Sequence, residues 1–278
     1  MSSKALFIVE GEREVDFFTT LAHALDLDME IVPFRGNISM LYDEMVKLNF
    51  MADVKKILLS KRNPKDPKDA GDIAKLNDAY TDIVLVFDFD PQHNIRRLSG
   101  ETVDAALRRN AAAVYKKTLK MAQDLNNSTD PTRGKLYINY PSIESFRDAN
   151  DFFDDQYATR KVKLLDLCKK LGGDGYKAIS ARAALVNKKK LKAYVGPDFT
   201  NLAKMNAFKL RLITDRQWAV FTYDEFRTHS EQDAILKRQK AEIDSALCLW
   251  VLNTSLFFVF DYLGRPCYDS VCLKTEEN

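Results

Sequence analysis

The run Ile83-Val-Leu-Val-Phe87 is apolar at every position. A strand with one wet face alternates apolar and polar residues. A run with no polar face needs cover on both sides. Such a strand belongs in the middle of a sheet with helices on its two faces. Residues 4–9, 29–34 and 136–139 read as further strands of that sheet. The intervals carry helical spacing. Val15, Phe18, Leu21, Ala22 and Leu25 share one face over residues 14–25, and residues 38–59 read as one helix with Leu41, Met45 and Leu48 aligned. Residues 61–72 are polar, contain Pro64 and Pro67, and predict a loop. A helix opens at Ser99 or Gly100 and runs to about residue 126; another starts at Ser142, after Pro141. This alternation predicts an α/β fold with a parallel, doubly covered sheet. From about residue 150 strand runs become scarce, and a mostly helical region follows. The division expected is a catalytic α/β domain over residues 1–155 and a basic, mostly helical region over 156–278.

Three sets of carboxylates fall at or just after the expected strand ends, where open α/β sheets form their ligand crevice. Glu10 closes the first strand, Gly11 permits a tight turn, and Glu14 lies one helical turn further on. Glu12 and Glu14 would also complement a helix N-terminus. Glu10 has less excuse, because a carboxylate ending a buried strand is costly unless paired or bound to metal. The second set is Asp88-Phe-Asp90. On a strand, residues two apart point the same way, so both could converge on one hard cation. A capping role would explain one aspartate but not two. The third set is Ser142 and Glu144, which local N-capping also explains. Together Glu10, Glu14, Asp88, Asp90 and Glu144 form an all-oxygen donor set suited to magnesium or manganese. Glu10, Asp88 and Asp90 are the candidate catalytic groups.

Charge is segregated. The whole chain has 42 Lys and Arg against 40 Asp and Glu, a net of +2. Residues 156–218 hold 15 basic and 4 acidic residues, so the near-neutral total hides a basic segment. Lys188, Lys189, Lys190 and Lys192 are its densest run, with Tyr157, Tyr176 and Tyr194 interleaved, a composition suited to phosphate contacts with some base stacking. A solvated helix face is the bland alternative. No Walker sequence follows the glycines near residue 172, so no nucleotide motor is encoded in this chain.

Other classes drop out. With 46% apolar and 29% charged residues the chain is neither disordered nor fibrous. Cys168, Cys248, Cys267 and Cys272 form no CxxC pair, which argues against zinc and against a disulfide framework. Residues 246–260 are the most apolar stretch. They are too short and too polar in the middle for a membrane span, and predict a buried helix. No signal peptide is evident, and a reducing cytoplasm is the expected compartment. The aromatics Trp250, Phe257, Phe258, Phe260 and Tyr262 predict core rather than a stacking platform.

The segments Leu6-Phe-Ile-Val-Glu-Gly-Glu-Arg-Glu14, Ile83-Val-Leu-Val-Phe-Asp-Phe-Asp90 and Tyr140-Pro-Ser-Ile-Glu144 resemble the motifs of a TOPRIM domain. The resemblance covers roughly residues 4–155. It is nearest to the overcoming-lysogenization-defect nucleases, the RloB-like proteins and related phage-defence effectors. It implies a TOPRIM-like parallel sheet and a magnesium- or manganese-dependent nuclease cutting DNA or RNA. Glu10 would match the general acid/base glutamate, Glu14 the second acid, and Asp88 and Asp90 the metal-binding DxD. Ser142 and Glu144 match the third motif more loosely. An ATPase or other regulatory partner would suit such an effector, no membrane is expected, and self-association stays open. Two alternatives remain: a DxD phosphatase, disfavoured by Gln92, and a non-catalytic TOPRIM module that docks an ATPase.

Overall fold

The computed structural model describes residues 4–51, 53–148, 158–183 and 190–273. The chain forms two compact units. The first comprises Met1–Asp88 and Lys117–Tyr137, the second Phe89–Lys116 and Ile138–Asn278. The boundary expected at residue 155 lies outside the described residues.

The first unit is built on an α/β sheet. Strand β1 (Ala5–Val9) lies between β2 (Met29–Pro33) and β3 (Asp82–Asp88), parallel to both. All five β1 residues are fully buried, as an apolar run without a polar face requires. Each buried Leu, Ile or Phe contributes roughly 1.5–3 kcal/mol. The sheet continues through β5 (Gly134–Tyr140) to β4 (Asn126–Asn127), in the order β2-β1-β3-β5-β4. Gly134 is obligatory at φ +83°, because a Cβ there would lie 2.6 Å from the Ile83 carbonyl oxygen. The sheet is mostly parallel but mixed, which corrects the expected all-parallel sheet. β4 pairs antiparallel with β5, and so does a late two-residue strand, Leu252–Asn253. Two-residue strands leave no periodic trace in a sequence.

Helix α1 (Glu12–Leu25) follows β1 directly. The single helix expected over residues 38–59 is two, α2 (Ile38–Lys47) and α3 (Val54–Ser60). Asn49 and Phe50 both take positive φ, near 50° and 55°, which a right-handed helix cannot accommodate. The loop expected over residues 61–72 ends in a helix instead, α4 (Pro67–Leu76). Asp66 accepts the Lys68 N–H as N-cap, and Pro67 occupies the first turn, where its missing N–H costs nothing. The buried residues of α4 are Asp69, Asp72 and Leu76, two acids and a single apolar residue, so hydrophobic periodicity does not reveal it.

Helix α5 (Val103–Asp124) begins a few residues after Gly100, with the Thr102 hydroxyl accepting the Ala105 N–H. The second unit is otherwise mainly helical. The helix Gly196–Asp215 and the helix Phe257–Tyr268 bury Phe199, Phe257, Val259 and Phe260 completely, and Phe226 packs edge-on to Phe257 and Phe260 at 5.2 and 5.6 Å. Trp250 and Phe258 are buried as well, and Tyr262 is half-buried, which places that aromatic stripe in the core.

The buried helix expected over residues 246–260 is not continuous. Leu247 closes the preceding helix in a left-handed conformation, two short strands follow (Cys248–Trp250 and Leu252–Asn253), and helix resumes only at Phe257. The polar trio in the middle explains this. Asn253, Thr254 and Ser255 are fully buried and bond to the end of β5, where the Thr254 hydroxyl satisfies the Ile138 N–H and carbonyl. The Ile138 N–H reaches the Thr254 hydroxyl at 2.9 Å, and the Ser255 N–H reaches Asn139 Oδ1 at 3.2 Å. No helix among the described residues is long and apolar enough to cross a membrane. The four cysteines are free.

Candidate functional site

In the first unit, Glu10 leaves the C-terminal end of β1. Its carbonyl accepts the N–H groups of Arg35 and Gly36 at 3.0 and 3.3 Å. Its carboxylate Oε2 accepts the backbone N–H of Asp88 at 3.1 Å, across the β1–β3 pair. The parallel register sets this up, because Val9 pairs with Val86, so Glu10 follows at once while β3 runs on to Asp88 beside it. Asp88 is buried, at 8% exposure. Glu14 is buried too, but its Oε2 accepts the Gly11 N–H at 2.9 Å, which closes the first turn of α1. This contact is the helix-terminus role weighed for Glu14 in the sequence.

Sequence reading missed a second set of charged groups in this unit. Arg35, at φ 58° just after β2, donates to Asp69 and, at 2.9 Å, to Asp72 of α4. Its Nε lies 3.6 Å from Glu12. Arg62 lies behind it, almost fully buried, with Nε 3.1 Å from Asp72 and a hydrogen bond to the Pro33 carbonyl. Asp69 is held below the usual carboxylate range by the Asn63 N–H and by Arg35. Burial pushes Asp72 the other way, against the pull of both arginines. The signal available in the sequence was Asp66-Pro67, a helix start that the polarity of the segment masked.

In the second unit, Asp90 lies beyond the end of β3, in a turn rather than on the strand, so the two-residue alternation does not govern its direction. Gln92 Nε2 donates to Asp90 Oδ1 at 3.0 Å, and Asn110 pins the same turn through the carbonyls of Pro91 and His93. Asp90 keeps part of its surface open, yet protein atoms surround most of the side chain. That desolvation pushes its carboxyl up. His93 opposes the shift, and the charge of Glu144 adds to it. Ser142 and Glu144 flank the start of a 3-10 segment, Ile143–Asp148, where an α-helix was expected. The Ser142 hydroxyl donates to Glu144 Oε2 at 2.6 Å, and its carbonyl accepts the Ser145 N–H.

Glu10 is thus brought to Asp88 in one unit, and Asp90 to Glu144 in the other. Among the described residues no group of three or more His, Cys, Asp or Glu side chains is arranged to hold a metal ion. A magnesium-type ion takes as few as one or two protein carboxylates and fills its remaining positions with water and substrate phosphate oxygens. Chemistry also agrees, since all four donors are hard oxygens.

No family model, curated protein or solved structure matches the chain.

In the basic segment, Lys188, Lys189 and Tyr157 lie outside the described residues. Lys190 and Lys192 are exposed around a short 3-10 turn, Leu191–Ala193. Tyr176 and Tyr194 are buried, which removes them as stacking surfaces. Tyr194 packs against Phe146 and Phe199, and the Tyr176 hydroxyl donates to buried Asp148.

Proposed function

We propose that this chain is a metal-dependent nuclease of TOPRIM type, cleaving nucleic-acid phosphodiesters with Mg2+ or Mn2+. The observation that supports the reading most is the Glu10 carboxylate on the Asp88 N–H at 3.1 Å, at the shared end of two parallel strands. Two carboxylate residues meet at the carboxyl ends of neighbouring strands, where ligands of open α/β sheets bind. The motif resemblance names the same two residues. A divalent ion held there would polarise a phosphodiester and acidify a water molecule. Glu10 and Asp88 would hold that ion, with Glu10 taking or giving the proton at its carboxylate. Asp90 and Glu144 are the remaining acids of the resemblance. Exposed Lys190 and Lys192, with Lys188 and Lys189, would track the phosphate backbone. A phage-defence role and an ATPase partner follow from the resemblance alone.

The test uses pure protein with plasmid, single-stranded DNA, tRNA and a phosphate monoester, with and without magnesium or manganese. Metal-dependent cutting of a polynucleotide is expected. Glu10→Ala and Asp88→Asn should each slow it roughly 100-fold or more, equivalent to about 3 kcal/mol of transition-state stabilisation. Turnover of the monoester alone would replace the nuclease reading with the phosphatase. Failure to act on any substrate would leave a binding module.

A further inference from the structure

A second site is built entirely within the second unit, between residues 160 and 182. A cavity of about 470 Å³ is lined there by Arg160, Lys161, Lys163 and Arg182, with Asp166 and Asp174 as the acids of its wall. Its cations outnumber its carboxylates by two. Gly172 and Gly173 form part of the lining, and the chain approaches itself closely at Gly173. A Cβ there would lie 2.2 Å from the Leu165 carbonyl oxygen, so no side chain can fill this end of the cavity.

The basic groups are held in different ways. Arg160 is anchored from behind, its Nε 3.3 Å from Oδ2 of Asp148, whose side chain is wholly buried. Lys161 lies 2.7 Å from Glu242 and 4.2 Å over the Trp250 ring. Both acids stand outside the lining, where they orient the cations and offset part of their charge. Arg182 pairs with Asp174 at 2.7 Å, but both side chains are more than half exposed, so that pair is weak and exchangeable. Lys163 is exposed and makes no ion pair among the described residues.

We infer that this cavity binds a phosphomonoester group. Three arguments select that class. With Arg160 and Lys161 offset by Asp148 and Glu242, Lys163 and the exchangeably paired Arg182 are the two cations left open, and two suit a phosphomonoester, which carries about −1.5 to −2 at neutral pH, better than the single charge of a phosphodiester. Arginines present planar forks that suit phosphate oxygens. Among the described residues no aromatic ring lines the cavity, which favours recognition of the phosphoryl group over stacking of a base. The group can come from a free nucleotide or from the 5′ end of a strand. The site uses none of the carboxylates assigned to the metal, and it stands or falls separately from the nuclease reading.

The experiment measures binding to the full chain in EDTA, which silences metal-dependent cutting. The probes are one short oligonucleotide carrying either a 5′-phosphate or a 5′-hydroxyl, with inorganic phosphate and AMP as competitors. The phosphorylated strand should bind about tenfold tighter, in line with one added charge-assisted contact. The Lys163→Ala/Arg182→Ala double variant should lose that difference. Both positions are exposed, so the variant should keep its fold. Glu10→Ala should retain the difference. If AMP or phosphate binds wild type but not the double variant while the two strands bind alike, the ligand is the small phosphomonoester. Equal binding of both strands with no effect of phosphate or AMP overturns the assignment. So does a double variant that weakens both strands equally, which would mark a phosphodiester surface.

Discussion

Each unit buries a cluster of charge, and the two clusters are composed differently. In the first unit, Arg35 and Arg62 face Asp69 and Asp72, two permanent cations against two carboxylates. In the second, Asp148 faces Arg160 and fully buried Lys209, with the Tyr176 hydroxyl on the same carboxylate. An arginine cannot shed its proton inside a protein, so the first cluster must keep its pairing to stay folded. A lysine can. Burial drives Lys209 well below its ordinary pKa; Asp148 pulls the other way and Arg160 adds to the lowering. Burial also pushes the Asp148 carboxyl up, against Tyr176, Arg160 and Lys209. Both partners are moved towards their neutral forms. One cluster is locked by charge, and the other can relax by moving a proton.

The largest effect should come from breaking the locked cluster. Arg62→Met leaves two carboxylates with only Arg35, and chemical denaturation should show a loss of about 3–5 kcal/mol. Lys209→Met should differ sharply. It removes an amine that burial already disfavours as a cation, so stability should fall within about 1 kcal/mol of wild type or rise above it. Equal losses in the two variants would erase the distinction.

A pH series sharpens it. Lys209 binds its proton more weakly folded than unfolded, so its burial penalty is present below the folded pKa. The penalty is relieved as pH climbs towards the ordinary lysine value. Wild type should therefore gain stability relative to Lys209→Met on going alkaline, and a flat difference between them would count against a titrating Lys209. The smallest effect belongs to a surface pair. The Arg109 guanidinium, with the Leu98 N–H, lowers the Glu101 carboxyl to about 2. The stability it contributes is complete above the ordinary glutamate value and is lost as pH falls towards about 2. Glu101→Gln should flatten that acid limb slightly at low salt and leave it unchanged at high salt.

The parts of this fold legible in the sequence are those where one residue class repeats. β1 and β3 announce themselves because burial on both faces excludes every polar side chain. Glu10 and Asp88 stand out for the same reason, as the first charges after such runs. Helix α4 was illegible because two of its three buried residues are acids, and their partners Arg35 and Arg62 come from other parts of the chain. The break in the helix expected from residue 246 was written in Asn253, Thr254 and Ser255. Their pull to β5 becomes visible only once β5 is placed. Asp90 lies two residues past the end of β3, where strand alternation no longer says which way its side chain points.

Gly173 gives the phosphomonoester cavity an uneven capacity for change. Its floor admits no other residue without moving the carbonyl of Leu165, so that position is closed to drift. Lys163 and Arg182 on the walls are exposed and free of structural duty. Descendants of this chain could exchange those two side chains and try new anions while inheriting the same cup.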